Sequence, residues 1–336
     1  MRREGRRSRR VRNQIFALAA VVIVVLSVVL YIKFFNGSIV YISTGYGRDV
    51  LFKVDNDTAY VMESKVLLAD YRAGYEKVFG EDIWNQKVGD VSFSEYAKEQ
   101  VKEKLIRVHA MNLMAKEKGV VLSRAQSDAV EDAVDEYMAA LSDEQIKDMK
   151  VSKAKLKEMY TEFAIAKTLY EDMTSNLKFE ISADEARVIS IQYICTANSG
   201  DIEAAKKRLD NGETFYMVAA IYNGDSYECQ LKRGEMEEAF ENVAFELKTG
   251  ETSGIVEAGG KYYIIKCTSD NDNNKTEANK LALIEQYKLD YFNGEFEKYE
   301  AGKYIDVNKK EWEKLSVESA HKLSVNFEEV FNKYLK

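Results

Sequence analysis

The chain has 336 residues, enough for two or three domains, and its hydrophobic (46%) and charged (31%) fractions are those of a folded protein. Its net charge of −8 conceals an asymmetry, because residues 1–14 carry seven arginines and one glutamate, a sum of +6, which leaves −14 for the remainder. An acidic body argues against nucleic acid as a partner, since phosphate binding requires a basic surface.

An uncharged segment follows the arginine-rich tail. Residues 15–32 carry no charge, and Phe34 and Phe35 can extend the run to the length at which a helix spans a bilayer core. The arginines place its N-terminal end in the cytoplasm by the positive-inside rule. The sequence therefore predicts a cytoplasmic basic tail (1–14), a single transmembrane helix (15–35) and an extracytoplasmic bulk. A cleaved signal peptide is the alternative, since such peptides also begin with a basic region.

Residues 48–180 are predicted to be mostly helical after a short strand pair. The longest helix begins near Phe93 and ends with Lys118, because Gly119 is a natural helix stop. Further helices are expected to begin at serines that can cap them: Ser123, Ser142 and Ser152. His109 lies among apolar neighbours without a second histidine at metal-binding spacing, so it is predicted to be a core residue and no metal site is expected.

Residues 183–270 alternate between strand and helix patterns. An alternating strand at residues 188–194 precedes two helices, a polar turn and a short amphipathic helix that contains Phe240. A hairpin follows, in which Gly259 and Gly260 favour a turn with positive φ.

Four stretches of this segment match known motifs. RGEMEEAFENVAFELKTGETSGIV (Arg233–Val256) is similar to R-G-x-M-x-P-x-F-E-x-A-x-F-x-L-x-x-G-E-x-S-x-x-V, and KYYIIK (Lys261–Lys266) is similar to G-Y-H-I-I-K. SIQYI (Ser190–Ile194) is similar to an S-H-I-L strand, and FYMVAAIYNGD (Phe215–Asp225) to F-x-x-L-A-x-x-Y-S-x-D. Together they resemble the parvulin-type peptidyl-prolyl isomerase domain, which implies a four-stranded antiparallel sheet flanked by helices.

The resemblance also implies where substrate binding and catalysis take place. The proline-binding Met and Phe of the family fall on Met236 and Phe240, whose spacing of four puts both on one helix face. The Asp or Cys beside the isomerised amide falls on Asp225. Two strand histidines that face each other fall on Gln192 and Tyr263, so both are replaced. No metal and no cofactor is implied.

Two functions are consistent with these residues. Isomerisation breaks no covalent bond and must only lower a rotational barrier of about 18–20 kcal/mol. An apolar pocket that desolvates the amide, with hydrogen bonds to its twisted form, provides that stabilisation without an obligatory acid or base. Gln192 and Tyr263 could therefore maintain a hydrogen-bond network in an active isomerase. They could equally mark an inactive holdase or interaction module that binds unfolded chains.

Three cysteines lie in the same segment: Cys195, Cys229 and Cys267. An odd number allows at most one disulfide. Cys195 and Cys267 are predicted at opposite ends of neighbouring strands, too far apart to bridge. All three are expected to be small buried side chains.

Residues 275–336 are predicted to return to the helical part. A helix from about Thr276 to Tyr299 precedes a short strand at Tyr304, and the tail Asn326–Lys336 is amphipathic. This order resembles extracytoplasmic foldases of the PrsA/SurA type, in which a parvulin domain is inserted into a helical chaperone lobe. The resemblance implies an α+β fold, unfolded or proline-containing polypeptides as clients, and a location outside the cell membrane. It leaves the oligomeric state open.

Overall fold

The computed structural model describes residues 39–43, 46, 49–223 and 227–335. The predicted basic tail (1–14) and transmembrane helix (15–35) lie outside the described residues. Within the described part of the chain, no helix is long and apolar enough to cross a membrane. These residues combine helices with sheets, as the predicted α+β class requires.

The helices and strands of the described residues are numbered separately in chain order. The helices are α1 (Val61–Phe79), α2 (Phe93–Lys118), α3 (Arg124–Ala139), α4 (Asp143–Met149), α5 (Lys153–Thr174), α6 (Ala183–Ala186), α7 (Ser199–Asp210), α8 (Phe215–Asn223), α9 (Glu238–Glu246), α10 (Asn273–Glu300), α11 (Lys309–Trp312) and α12 (Phe327–Tyr334). The strands are β1 (Ile39–Ser43), β2 (Val50–Val54), β3 (Asp57–Tyr60), β4 (Lys87–Val88), β5 (Val91–Ser92), β6 (Ile189–Thr196), β7 (Glu228–Leu231), β8 (Val256–Ala258), β9 (Lys261–Ser269) and β10 (Tyr304–Asn308). A 3₁₀ helix (Glu81–Asn85) follows α1.

The described residues divide into two compact units. Unit 1 ends at Asn176 and resumes at Phe292, and unit 2 is Leu177–Tyr291. In chain order, unit 2 thus interrupts unit 1. The first two thirds of α10 belong to unit 2 and its last turns to unit 1.

A four-stranded sheet with the order β1-β10-β2-β3 lies in unit 1. β1 runs parallel to β10, and the other pairs are antiparallel. Asp55 has a φ of +52° in the turn between β2 and β3, a conformation that Asp and Asn tolerate better than most residues. The turn brings Asp57 to the start of β3. At the last residue of β3, the Tyr60 N–H donates to Glu63 Oε1 at 2.6 Å, which fixes the Glu63 carboxylate in the first turn of α1.

The predicted helix limits of unit 1 are confirmed where a specific residue sets them. The hydroxyls of Ser123, Ser142 and Ser152 accept hydrogen bonds from backbone N–H groups three residues later, at 3.2–3.3 Å. These bonds satisfy donors that helix starts leave unpaired. Gly119 ends α2 with a φ of +72° in the left-handed region.

The core of unit 1 lies between its sheet and its longer helices. The helix α2 buries apolar side chains in this core, including Val101, Leu105 and Met114. His109 on the same helix is 0% exposed, so its prediction as a core residue is confirmed. Its neighbours, however, include three carboxylates as well as apolar side chains.

Unit 2 contains a four-stranded antiparallel sheet of order β7-β6-β9-β8, the sheet that the parvulin resemblance implies. The apolar side chains of α7 and α8 pack on one face around Ile194 and Ile264. The helix α9 packs on the other face, around Tyr263 and Ile265. Helices therefore cover both faces of the sheet. The apolar side chains of the strands alternate between the two faces, and the apolar side of each helix packs on them.

The cysteines of unit 2 are all free. Cys267 is buried, as predicted, and Cys195 is half-buried. Cys229 is exposed on the edge strand β7, so its prediction as a buried side chain is wrong. An edge strand leaves one side of its backbone uncovered, and this exposes small side chains more than a central strand does.

The amphipathic tail packs on the helices of unit 1, as predicted. Phe327 in α12 is 0% exposed and stacks on Tyr160 with ring centroids 4.1 Å apart. Asp70 caps this helix, because its carboxylate accepts hydrogen bonds from the backbone N–H groups of Phe327 (3.0 Å) and Glu328 (3.2 Å). Burial raises the pKa of Asp70 to about 7, although these two hydrogen bonds oppose the shift.

The raised pKa of Asp70 predicts a pH dependence of stability. The folded carboxyl binds its proton more tightly than the unfolded one, so its stabilising contribution is complete below about pH 4 and is lost as the pH rises to about 7. We expect urea unfolding to show that wild-type stability falls by a few kcal/mol more than that of Asp70→Asn across this interval. Groups that titrate in both proteins cancel when the two free energies of unfolding are subtracted. If the stability of both proteins changed equally with pH, the raised pKa of Asp70 would be contradicted.

Candidate functional site

The two faces of the unit 2 sheet separate the predicted site residues. Alternation along β6 places Tyr193 and Cys195 on the face covered by α9, together with Tyr263 from β9. Gln192 falls on the opposite face, which carries Ile194 and the helices α7 and α8. The face covered by α9 is therefore the candidate site.

Gln192 does not face Tyr263, so the predicted pairing of these two residues is wrong. Gln192 lies opposite Lys266 in the strand register, and Tyr263 lies opposite Cys195. Positions 192 and 195 differ by an odd number, which puts their side chains on different faces of the sheet. The Gln192 amide instead donates a hydrogen bond to Glu228 on the neighbouring strand.

Tyr193 is the polar residue of β6 that shares the face of Tyr263. Burial raises the pKa of Tyr193, and the neighbouring thiols of Cys229 and Cys195 add to the shift. A shift of one residue in the comparison with the S-H-I-L motif would have put Tyr193 rather than Gln192 at the histidine position. The alternation of buried residues in β6 is the signal that could have found it.

Tyr263 lies at the centre of the candidate site. Its ring packs edge-on against Phe240 with centroids 5.0 Å apart, and the side chain is 8% exposed. Burial raises the pKa of its hydroxyl to about 12, and a hydrogen bond with Cys195 adds to the rise. The hydroxyl therefore stays protonated at neutral pH and can donate a hydrogen bond.

Phe240 and Met236 occupy different environments. The helix α9 begins at Glu238, so Met236 precedes it and the predicted placement of both residues on one helix face is wrong. Phe240 is 1% exposed and forms the apolar floor beneath Tyr263, whereas Met236 is 37% exposed. Only Met236 of this pair presents substantial apolar surface to a ligand.

Glu241 holds the loop that carries Met236. Its carboxylate is buried and accepts hydrogen bonds from the N–H groups of Met236 (2.8 Å) and Gly234 (3.0 Å). Gly234 has a φ of +86°, which a residue with a side chain adopts only with strain. Sequence reasoning missed Glu241, although a glutamate follows the phenylalanine in the motif as well.

Asp225, the remaining predicted catalytic residue, lies outside the described residues, between Asn223 and Tyr227. The described part of the site thus consists of an apolar floor (Phe240), a protonated hydroxyl (Tyr263) and a half-exposed methionine (Met236). Such a surface can hold an apolar ring and donate a hydrogen bond to an amide. It offers no general acid or base among these described groups, and amide rotation needs none.

Comparison with known proteins supports this region as a rotamase domain. The family model "Rotamase: PPIC-type PPIASE domain" matches residues 151–269. The chain is 26% identical over 238 residues to the foldase protein PrsA of Caldanaerobacter subterraneus subsp. tengcongensis, covering 62% of this chain and 72% of that protein. It is 35% identical over 108 residues to the foldase protein PrsA of Bacillus subtilis, covering 29% of this chain and 37% of that protein.

A solved structure of a PrsA protein also aligns with part of this chain. The crystal structure of the peptidylprolyl isomerase PrsA from Bacillus anthracis aligns with 59% of this chain and 94% of its own, at 20% identity and a TM-score of 0.35.

Proposed function

We infer that this chain is a parvulin-type foldase of the PrsA/SurA kind, a peptidyl-prolyl cis-trans isomerase that acts on proteins outside the cytoplasm. The match of residues 151–269 to the rotamase family is the observation that carries this function. The packing of Tyr263 on the Phe240 floor supplies a physical basis for it. Extended, unfolded polypeptides with X-Pro bonds are the substrates.

We propose the following roles for the site residues. Met236 contacts the proline ring, and Phe240 supports this surface from below. The Tyr263 hydroxyl donates a hydrogen bond that favours the twisted amide over the planar one, which is how a rotational barrier is lowered. Tyr193, rather than Gln192, is the second polar group of this face. Asp225 keeps its proposed place beside the amide, on the grounds of the sequence motif alone.

The proposed role of Tyr263 in isomerisation can be tested by removing its hydroxyl group. We expect Tyr263→Phe to lower kcat/KM for a proline-containing peptide by about tenfold, since one hydrogen bond made in the transition state is worth about 1.4 kcal/mol. Cis-to-trans conversion of a peptide with a single X-Pro bond measures this directly. The chain itself contains no proline, so its own folding adds no slow isomerisation phase.

The control for this experiment is Tyr262→Phe. Tyr262 is the preceding residue of the same strand and packs on the opposite face, with α7 and α8, so the loss of its hydroxyl should leave kcat/KM unchanged. Equal activity in the wild type and Tyr263→Phe would remove Tyr263 from the mechanism. A wild-type protein without isomerase activity would favour the alternative below.

The alternative is a holdase that binds unfolded chains without isomerising them. One observation favours it: α8 presents a stripe of apolar side chains that are more than half exposed, namely Tyr216, Met217 and Ile221. An exposed stripe of this kind can bind apolar client segments. Suppression of client aggregation by a wild-type protein that does not accelerate isomerisation would support this reading.

We further propose the membrane arrangement and the domain limits. Residues 15–35, in which Lys33 is the one charged residue, anchor the chain as a single helix with residues 1–14 in the cytoplasm, as the arginine-rich flank favours. Residues 48–180 and 275–336 form the chaperone lobe, and residues 183–270 form the isomerase domain. Protease added outside intact cells should digest the bulk of the chain and spare an N-terminal tag.

A further inference from the structure

Three carboxylates surround the imidazole of His109 in unit 1. Its Nε2 lies 2.9 Å from Glu63 Oε2, while its Nδ1 lies 2.8 Å from Asp57 Oδ2 and 3.9 Å from Glu162 Oε1. An imidazole has two nitrogens, and hydrogen bonds to Glu63 and Asp57 use both. The Glu162 carboxylate accepts no hydrogen bond from the described residues. The cluster thus holds one more carboxylate than the imidazole can satisfy.

Glu63 determines which nitrogen of His109 can exchange its proton for a cation. The Glu63 carboxylate is buried, and its other oxygen already accepts the Tyr60 N–H at 2.6 Å. An ionised carboxylate only accepts hydrogen bonds, so Nε2 carries the proton shared with Glu63. Nδ1 lies at hydrogen-bond distance from the Asp57 carboxylate and donates a proton to it, and a cation bound at Nδ1 takes the place of that proton, facing Asp57 and Glu162. Metal-binding histidines are oriented by a carboxylate in this same manner.

We propose that His109 Nδ1 and the carboxylates of Asp57 and Glu162 form a binding site for a divalent transition-metal ion such as Zn²⁺. One oxygen of each carboxylate and Nδ1 lie within 4.8 Å of one another. Ligands of a tetrahedral Zn²⁺ at about 2.0–2.2 Å are separated by about 3.4 Å, so shifts of less than about 1 Å complete the geometry. A proton on Nδ1 can form a hydrogen bond with only one of the two carboxylates, whereas a metal ion can be bound by both at once.

The site has a route to solvent. A cleft of about 450 Å³ is lined by Asp57, Glu162 and Asn112. The side chains of Asp57 and Glu162 remain 30% and 16% exposed, so an ion can enter and water can take the fourth position. Asn112 donates to the Glu162 backbone oxygen at 2.9 Å, which ties α5 to α2 beside the ligands. One nitrogen and two oxygen ligands suit Zn²⁺, Mn²⁺ or Co²⁺.

Competition between the purified full chain and a chromophoric chelator for Zn²⁺ tests the proposal. We expect one Zn²⁺ per chain, with an affinity at least tenfold weaker in Glu162→Gln, which preserves the side-chain volume. Glu63→Gln should weaken binding by about 10–100-fold through the loss of histidine orientation. The matched control is Glu171→Gln on the same helix, where an exposed carboxylate pairs with Lys167 and should leave the affinity unchanged.

The Co²⁺ spectrum separates this site from the cysteines of unit 2. Nitrogen and oxygen ligands give weak d–d bands alone, whereas a thiolate adds an intense charge-transfer band. Far-UV circular dichroism establishes that each variant is folded before titration. An affinity for Zn²⁺ that is equal in the wild type and Glu162→Gln, a thiolate band, or no binding by the wild type would each overturn the proposal.

Discussion

Replacing Phe240 with alanine is expected to destabilise unit 2 by about 3–5 kcal/mol and to abolish isomerase activity. Phe240 is among the largest fully buried side chains, and its ring supports Tyr263 edge-on. Alanine would leave a cavity beneath the one hydroxyl proposed to act on the amide. Hydrogen exchange of peptides that cover β9 measures the loss, because β9 carries Tyr263 and is one of the two inner strands of the sheet.

Two further variants separate packing from substrate binding. Phe240→Leu retains most of the volume, so protection of β9 should fall only modestly while the edge-on contact with Tyr263 is lost. Met236→Ala removes a side chain that is substantially exposed, and it should raise KM without changing the exchange of β9. Wild-type exchange protection of β9 in Phe240→Ala would contradict the proposed floor.

Local signals in the sequence predicted much of unit 1 correctly. Serine at a helix start and glycine at a helix end act within one turn of the chain, so Ser123 and Gly119 set limits that distant residues do not change. The sheet of unit 2 was predictable for a different reason, since the motifs between residues 190 and 266 resemble a family of known architecture.

Register and side-chain direction were harder to predict. An error of one residue in β6 moved the predicted polar partner of Tyr263 from Tyr193 to Gln192, on the other face of the sheet. The start of α9 at Glu238 likewise removed Met236 from the helix, because Glu241 binds the preceding loop through two backbone N–H groups.

The carboxylate cluster around His109 was beyond sequence reasoning. Asp57 comes from a strand, and His109 and Glu162 come from two different helices, separated by 50 or more residues. No short spacing links them, so a search for metal-binding motifs sees only an isolated histidine. The tertiary fold alone brings these three side chains together.

Replacing Phe327 with alanine should destabilise unit 1 by about 3–5 kcal/mol. Phe327 is fully buried in an aromatic cluster, stacked on Tyr160 and edge-on to Phe163 and Tyr137. Its backbone N–H also donates a hydrogen bond to Asp70. The same residue therefore holds α12 on unit 1 through both its side chain and its backbone.

Intrinsic tryptophan fluorescence measures this effect, because Trp84 and Trp312 both belong to unit 1 and are buried. Guanidinium unfolding should show a lower midpoint for Phe327→Ala with an unchanged slope. Phe331→Ala is the matched control, since Phe331 lies one turn later on α12 and is only partly buried, and its loss should cost roughly half as much. Equal midpoints for the wild type and Phe327→Ala would mean that α12 contributes nothing to the stability of unit 1. A large effect would make the C-terminal segment a structural part of unit 1, even though Tyr160 and Phe327, which are in contact, lie 167 residues apart in the sequence.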